Sequence, residues 1–460
     1  MIRIPNKTSE QRLKELGYNQ QLNRSLTTAD NIILTMSSVS PLMAAFLLGL
    51  SPIRIAGTAT LSSIVLFSVF AVSNSLVLAE LAGTYPLSGG LFSFIQMTLP
   101  PVFSRISACI IFLQSVVVIA SIALGAADYI LILFPFLPQS RMASVMIAAA
   151  VLMVCGFVCT RNLASGTATT KILFAVQMGI LITYIVSCLC YTRRGIRETV
   201  LYPLYFRGEI TAADFGVILA GITPLFCVIN GYDASLGLAE ETMGESREIS
   251  KSVIISLLCA VILIGLGIGS SILAAPDLNS YLSDKSPFLY TAQAVMGNTG
   301  KLFINTGILT ASCGALISQI TYYSRVMFST ARDRIWPELL SRQMVKISKR
   351  ECMPYAATIM ITVCTFIVVM TASMEKLVEF VGVLIAFVYL MISLGSIKNR
   401  ITKPEGYRPF AMPLFPIPAF ITAAYCSFVI LIQRPFIKVM LAIAIAGGIV
   451  LYLFTYKKNN

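Results

Sequence analysis

The chain has no histidine, a single tryptophan, and only 12% charged residues against 57% hydrophobic ones. Without histidine, the side chain that ordinarily titrates near neutral pH is missing, so any proton movement must use carboxylates, lysine, backbone or water. The eleven cysteines therefore lack the nitrogen partners of a mixed zinc site. They also form no CxxC pair, so neither a metal nor any other cofactor is expected. A soluble domain carries roughly 25% charged residues; at half that, the chain reads as a polytopic membrane protein. Long polar segments are absent too, none between apolar runs exceeding about 30 residues, which leaves no room for a separate soluble domain.

The net charge of +13 does not point to nucleic acid, because Lys and Arg are scattered over the loops with no basic arm interleaved with aromatics. Membrane lipid and a small-molecule substrate are the expected partners. Most cysteines, among them Cys109, Cys155, Cys259 and Cys364, lie inside apolar runs and read as small buried hydrophobes. Cys352 falls in a loop expected to be cytosolic and reduced, and Cys188 with Cys190 leaves a disulfide open near the outer end of one span.

Hydropathy and helix breakers predict an all-α protein of twelve transmembrane helices, at about 30–50, 57–82, 102–134, 141–160, 168–191, 212–242, 250–274, 299–330, 354–373, 377–397, 414–433 and 436–456. Residues 1–29 are charged and polar, and read as a cytosolic leader rather than a cleaved signal; 30–456 form one domain. With the N-terminus inside, about 23 of the 34 Lys and Arg fall on the cytosolic side and about 11 outside, as the positive-inside rule requires. The exception is the loop 192–211, where Arg193, Arg194, Arg197 and Arg207 fall outside. Either that loop is a folded vestibule element or the boundary there is misplaced.

The sixth span is too long for one straight helix. About 32 residues would rise roughly 48 Å across a hydrocarbon core of about 30 Å. Its middle, Gly221 to Glu241, carries Pro224, Asn230, Gly231 and Asp233, so two half-helices joined near Val228 to Tyr232 fit better. Asp233 is a carboxylate at membrane depth, costly by about 3 kcal/mol on insertion scales, and hence a functional candidate; the bland alternative is an ordinary helix cap. In the first span, Met36 to Pro41 places three hydroxyls and a proline inside an apolar helix. That is either a proline kink with serines bonded to the preceding turn or a second break. Two interrupted spans at matching places in halves 30–191 and 212–397, of opposite orientation, are the signature of an inverted-repeat transporter with its site at the midplane. Spans eleven and twelve, 414–456, lie outside the repeat.

Other features carry less. Glu80 to Phe92, containing Pro86, Gly89 and Gly90, reads either as a plain turn or as an inner gate element under the site. Asp128, near the outer end of the third span, reads as interfacial. Arg325 lies about two turns inside the end of the eighth span and either snorkels or pairs with a carboxylate such as Glu80 or Glu240.

The run Leu16-Gly-Tyr-Asn-Gln-Gln-Leu-Asn-Arg-Ser-Leu26, the turn Tyr85-Pro-Leu-Ser-Gly-Gly90, Asn230-Gly-Tyr-Asp-Ala-Ser-Leu-Gly-Leu-Ala-Glu-Glu241, Ser324-Arg325 with Ala331-Arg-Asp333 and Trp336-Pro337, and Arg408-Pro-Phe-Ala-Met-Pro413 occur in an order that resembles the amino acid, polyamine and organocation permeases. The likeness is greatest to the branch that carries amino acids, 4-aminobutyrate and choline. It implies the leucine-transporter fold, a 5+5 inverted repeat plus two helices, with alternating access around a site between the broken spans. Two departures stand out: Ser37, Ser38, Ser40 and Pro41 replace the glycine-rich break common in the family, and Cys227 replaces the family's aromatic gate, with Phe226 beside it.

A half-helix N-terminus after each break offers N–H groups to an anionic end, and freed carbonyls accept from an ammonium. Ser37, Ser38, Val39 and Ser40 are thus expected at the anionic end of a zwitterion, Cys227, Asn230 and Gly231 at its backbone and polar contacts, and Phe226 as the lid. Asp233 is the first coupling candidate, able to take a proton or a cationic substrate. Lys171, either a fixed cation in place of a sodium ion or a side chain that snorkels to the inner surface, and Glu80 are the others, and Ser312, Ser318 and Thr321 form a possible sodium site. The expected function is secondary active transport of amino acids or related small amines in the cell (inner) membrane, proton-coupled or by exchange. Alternatives are a sodium-coupled amine or choline transporter, or a nutrient sensor on the same scaffold, against which the short tail after Tyr456 argues. A membrane enzyme would need a nucleophile with a base, or a metal set, and none is visible. A cysteine placed at Ser9 should resist an impermeant thiol reagent in intact cells and one at Ser283 should label; the opposite pattern would overturn both the orientation and the repeat assignment.

Overall fold

The computed structural model describes residues 8–18, 24, 26–160, 163–206, 209–348, 354–371 and 373–456; Arg207 and Cys352 lie outside them. Among the described residues nine helical stretches are long and apolar enough to cross a membrane, and three shorter apolar helices accompany them. The protein is mostly helical, as expected for a chain whose backbone polar groups must be satisfied within the bilayer.

A short capped helix α1 (Ser9–Glu15) precedes the first span. That span is α2 (Thr28–Val39), a break at Ser40, α3 (Pro41–Met43), a π-helical turn over Ala44–Leu48, and α4 (Leu50–Ala56). Ser40 has φ 48 and ψ 73, a left-handed conformation that costs a non-glycine residue about 1–2 kcal/mol. Pro41 follows as the first residue of the next helix, where its missing N–H is not needed. The chain continues as α5 (Thr60–Thr84), the eight-residue α6 (Leu91–Thr98), α7 (Pro101–Leu133), α8 (Arg141–Thr160) and α9 (Leu163–Cys190). The expected turn at Glu80 to Phe92 is thus the end of α5, a tight turn and the start of α6.

The loop at 192–211 is a folded element. It contains α10 (Ile196–Leu201) and a hairpin of β1 (Leu204–Phe206) with β2 (Ile210–Ala212). Arg194 donates to the carbonyl of Ala275, 2.5 Å away, so its charge faces the C-terminal dipole of a following helix. Thr58 hydrogen-bonds both the N–H and the carbonyl of Leu204. Gly57 meets this hairpin so closely that a Cβ would stand 2.4 Å from the Leu204 oxygen.

The sixth span is α11 (Phe215–Val228), an irregular stretch, and α12 (Ala234–Gly237). The break falls where the sequence placed it, but the second half is a four-residue helix followed by turns rather than a full half-helix. Side chains and the leader take its carbonyls instead: Asn31 donates to Ser235, Arg24 to Glu240, and the Leu26 N–H to Glu241. Then come α13 (Ser246–Ala274), α14 (Leu278–Ser283) and α15 (Pro287–Arg332), the last kinked at Gly297 with φ 72. Without that kink its 46 residues would rise roughly 69 Å. The chain ends in α16 (Glu338–Met344), α17 (Tyr355–Thr371), α18 (Met374–Thr402), α19 (Ile417–Ile432) and α20 (Pro435–Tyr456).

Two expectations need correction. Arg325 pairs with neither Glu80 nor Glu240 but with Glu241, its Nε 2.5 Å and Nη2 3.1 Å from the two oxygens. Glu240 is taken by Arg332 and Glu80 by Arg400. Three carboxylates and three arginines must be matched at one end of the molecule, and spacing alone cannot choose among the pairings. Cys188 and Cys190 are both free thiols. Ser9 is itself buried, its hydroxyl donating to the Gly244 carbonyl, so protection at that position would not report sidedness. Lys14, with 65% of its side chain exposed, is the better place for the cysteine, on a background without the exposed Cys190.

Glu80 is 1% exposed and accepts from Arg400 through both oxygens and from the Met412 N–H at 2.7 Å. Glu80→Ala strands all these donors and is expected to destabilise the protein by about 3–5 kcal/mol, read as a lower melting temperature in detergent; an unchanged melting temperature would show that the pair contributes nothing net.

Candidate functional site

The two breaks touch. Gly231 has φ +99, and a Cβ added to it would lie 3.2 Å from both the carbonyl carbon and the oxygen of Ser38. Gln319 of α15 joins them, donating from Nε2 to the Ser38 carbonyl at 3.1 Å while standing 3.1 Å from the same hypothetical Cβ. Three elements, α2, the α11–α12 connection and α15, thus meet at one point, the first two with backbone at their interruptions and the third with a side-chain amide.

The serines of the first break have different partners. Ser37 accepts from the Ser318 hydroxyl at 3.3 Å, and Ser40 donates to Gln177 Oε1 of α9 at 2.6 Å and approaches the Ala311 carbonyl. These bonds hold Ser40 in its unfavourable conformation. Ser38 Oγ is buried with no partner, and Val39 is buried beside it. On the other side Cys227 is a buried free thiol, and Asn230 is buried with its Oδ1 unpaired.

Asp233 is 1% exposed. One oxygen accepts from the Tyr322 hydroxyl at 3.2 Å and the other has no partner. The side chain makes no capping bond to α12. Among the described residues no lysine or arginine forms an ion pair with it. Around it, Asn74 donates to the Tyr232 hydroxyl at 2.6 Å, the Tyr232 and Tyr389 rings lie 6.3 Å apart, and Gln114 donates to Tyr323. A buried carboxylate among hydroxyls and amides, with one oxygen unbonded, retains its full demand for a positive partner.

Other candidates lie elsewhere. Phe226 is set in an aromatic cluster, its ring centroid 4.7 Å from that of Phe70, 5.2 Å from Phe67 and 6.2 Å from Tyr425; closing as a lid would require leaving that cluster. Lys171 pairs with Asp30 at 2.6 Å, part-exposed, and Glu80 is locked to Arg400. The three hydroxyls of the possible sodium site do not converge. Ser312 bonds back to Ile308, Ser318 meets Ser37, and Thr321 meets Cys159, because positions six and nine residues apart face different sides of one helix. Sequence reasoning passed over Asn74, Gln177, Gln319 and Tyr322. The signal was present: three amides inside otherwise apolar runs, each of which needs a partner at that depth.

The two ends of the site differ. On the leader side Arg325–Glu241 and Arg332–Glu240 close it, with the Ser88 N–H on Glu240 Oε1 and Arg332 over the Tyr18 ring. Burial pushes the Tyr18 hydroxyl up to about 12, with the charge of Asp333 adding, so Tyr18 stays a neutral donor. At the opposite end a cavity of about 600 Å³ is lined by Arg54, Asp128, Tyr129, Arg141, Lys285 and Glu379, with Leu47 at its base. Next to Leu47, Phe46 packs on Tyr184 and Phe288, and its carbonyl, freed by the π-helical turn, accepts from Tyr129 at 2.7 Å. This arrangement can enclose a small polar molecule at the breaks and exclude water from it.

A family profile described as amino acid permease matches residues 26–454. A branched-chain amino acid permease of Bacillus subtilis is 22% identical, the match covering 88% of this chain and 87% of the relative. A methylthioribose transporter of the same organism is 20% identical over 97% and 96%. The human large neutral amino acids transporter small subunit 2 is 23% identical over 85% and 72%.

Gly231→Leu is expected to abolish binding of the small molecule that the purified chain proves to bind, and Gly231→Ala to weaken it at least roughly tenfold, with helical content kept by circular dichroism. Unchanged affinity in Gly231→Leu would move the site away from the breaks.

Proposed function

We propose that this chain, which belongs to the amino acid permease family, carries its substrate by alternating access between the two touching breaks, in a 5+5 inverted repeat of the leucine-transporter fold with two further helices. The family membership makes it a multi-pass membrane transporter and not an enzyme. The finer reading rests on the contact of Gly231 with Ser38, which brings together backbone freed from two helices. Carbonyls there suit an ammonium and N–H groups suit a carboxylate. An amino acid or related small amine presents both. The relatives' names span branched-chain and large neutral amino acids, which supports an amino acid in the first place.

In this reading the leader end faces the cytoplasm of the cell membrane, as the lysine and arginine asymmetry favours. The closed leader end and the wide opposite cavity then correspond to a state sealed inward. Opening inward requires the Glu241–Arg325 and Glu240–Arg332 pairs to exchange for water. Those charges are buried, so the cost of parting them is recovered only when both partners are hydrated together.

Coupling is assigned to Asp233. Its unbonded oxygen and the lack of an ion-pairing cation among the described residues leave a proton or the substrate ammonium as its counter-charge. A carboxylate that must be neutralised by one or the other links substrate to proton. The scattered hydroxyls of α15 give sodium no comparable set of oxygens. Asp233→Asn keeps the shape and fixes the charge at zero. In proteoliposomes it should retain exchange of a labelled amino acid but lose accumulation driven by an imposed proton gradient. Undiminished proton-driven accumulation would remove Asp233 from coupling, and loss of exchange together with binding would make it a substrate ligand instead.

A further inference from the structure

At the leader end, α15 is closed by two reversed bonds, from the Ile335 N–H to the Thr330 carbonyl at 3.1 Å and from the Arg334 N–H to the Ala331 carbonyl at 3.0 Å. This stop requires a left-handed residue at the turn, and glycine takes that conformation without steric cost. The residue there is Arg334, with φ +53. An arginine kept where glycine would relieve roughly 1 kcal/mol of strain calls for a reason in its side chain.

Beside Arg334 lies a cavity of about 780 Å³ between the end of α15, α16 and the end of α20, lined by Arg332, Arg334, Trp336, Glu338, Arg342 and Phe454 among others. Three guanidinium groups face one carboxylate. Arg332 is committed to Glu240 and Arg342 to Glu338. Arg334 has no hydrogen-bond or ion-pair partner for its side chain among the described residues. Apolar side chains line it as well: Val345 on one side and, on the other, Phe454, which is 73% exposed. Trp336 anchors its indole N–H on Thr330 Oγ1 at 2.8 Å and packs edge-on against Phe112, the disposition of an aromatic at the boundary between headgroups and hydrocarbon.

We propose that this cavity binds an anionic phospholipid. Arg334 takes the headgroup phosphate through charge-assisted hydrogen bonds, with Arg342 beside it, and the glycerol and acyl chains run past Val345 and Phe454 into the bilayer. Free phosphate satisfies only the first half of that surface; the apolar lining at the end of a membrane helix selects the lipid.

The test uses the purified full chain in detergent, with retained lipid read by native mass spectrometry. The unsubstituted protein should keep phosphatidylglycerol over phosphatidylcholine by roughly tenfold, the worth of one charge-assisted contact. Arg334→Gly should lose that preference while its melting temperature in lipid-free detergent stays equal or rises, because the turn is relieved; Arg334→Lys should keep part of it. Undiminished preference in Arg334→Gly would overturn the proposal. So would full displacement of phosphatidylglycerol by inorganic phosphate at equal concentration, which would leave a site for a free anion.

Discussion

The close approach of two interrupted backbones, Gly231 against Ser38 with Gln319 bonded across, is the constraint on which the rest of this structure depends. Each interruption removes N–H and C=O groups from a helical ladder at a depth where water cannot replace them. Alone, either break would carry unsatisfied groups costing several kcal/mol. Amides from neighbouring helices meet both segments: Gln319 from α15 donates to the Ser38 carbonyl, Gln177 from α9 accepts from the Ser40 hydroxyl, and Asn74 from α5 donates to the Tyr232 hydroxyl. Ser38 Oγ, Asn230 Oδ1 and one oxygen of Asp233, on the segments that meet there, stay unpaired among the described residues, as do atoms of the three amides themselves.

The charges around this centre divide into two kinds. Glu80, Glu240 and Glu241 are each buried and each bound by arginine, so they hold the leader end together while it is shut. Buried pairs of this sort are weak contributors to net stability but strongly oppose the loss of a single partner, which favours a closure that opens all at once or not at all. Asp233 is buried to the same degree and forms no such pair among the described residues. The difference between these carboxylates therefore lies in their partners and not in their burial.

Much of this was legible in order along the chain. Apolar runs and breakers located the nine helices that are long and apolar enough to cross a membrane, and also the three shorter apolar ones, among the described residues. The interruption at Ser40 and Pro41, and the one around Gly231, could be read from residue type, since proline cannot donate and glycine reaches φ +99 at no steric cost. The folded element between α9 and α11 could not be separated from a boundary error, because the helix end that Arg194 meets is visible only in the tertiary structure. The partner of Arg325 was misassigned for a similar reason: Glu80, Glu240 and Glu241 are all acidic residues near the same membrane face, and local spacing ranks none of them.

The sequence by itself therefore determined that the chain crosses a membrane many times and that the span around Gly231 breaks, and it left the first span open between a kink and a break, since each of these follows from composition and backbone chemistry within a single segment. The tertiary structure alone decided which groups face one another: that Gly231 meets Ser38, that Gln177 and Gln319 brace the breaks, that Phe226 joins an aromatic cluster with Phe67 and Phe70, and that the hydroxyls of Ser312, Ser318 and Thr321 point to different neighbours. Those contacts join residues as far apart as Ser38 and Gln319, and helix rotation and packing, which no local pattern encodes, fix them.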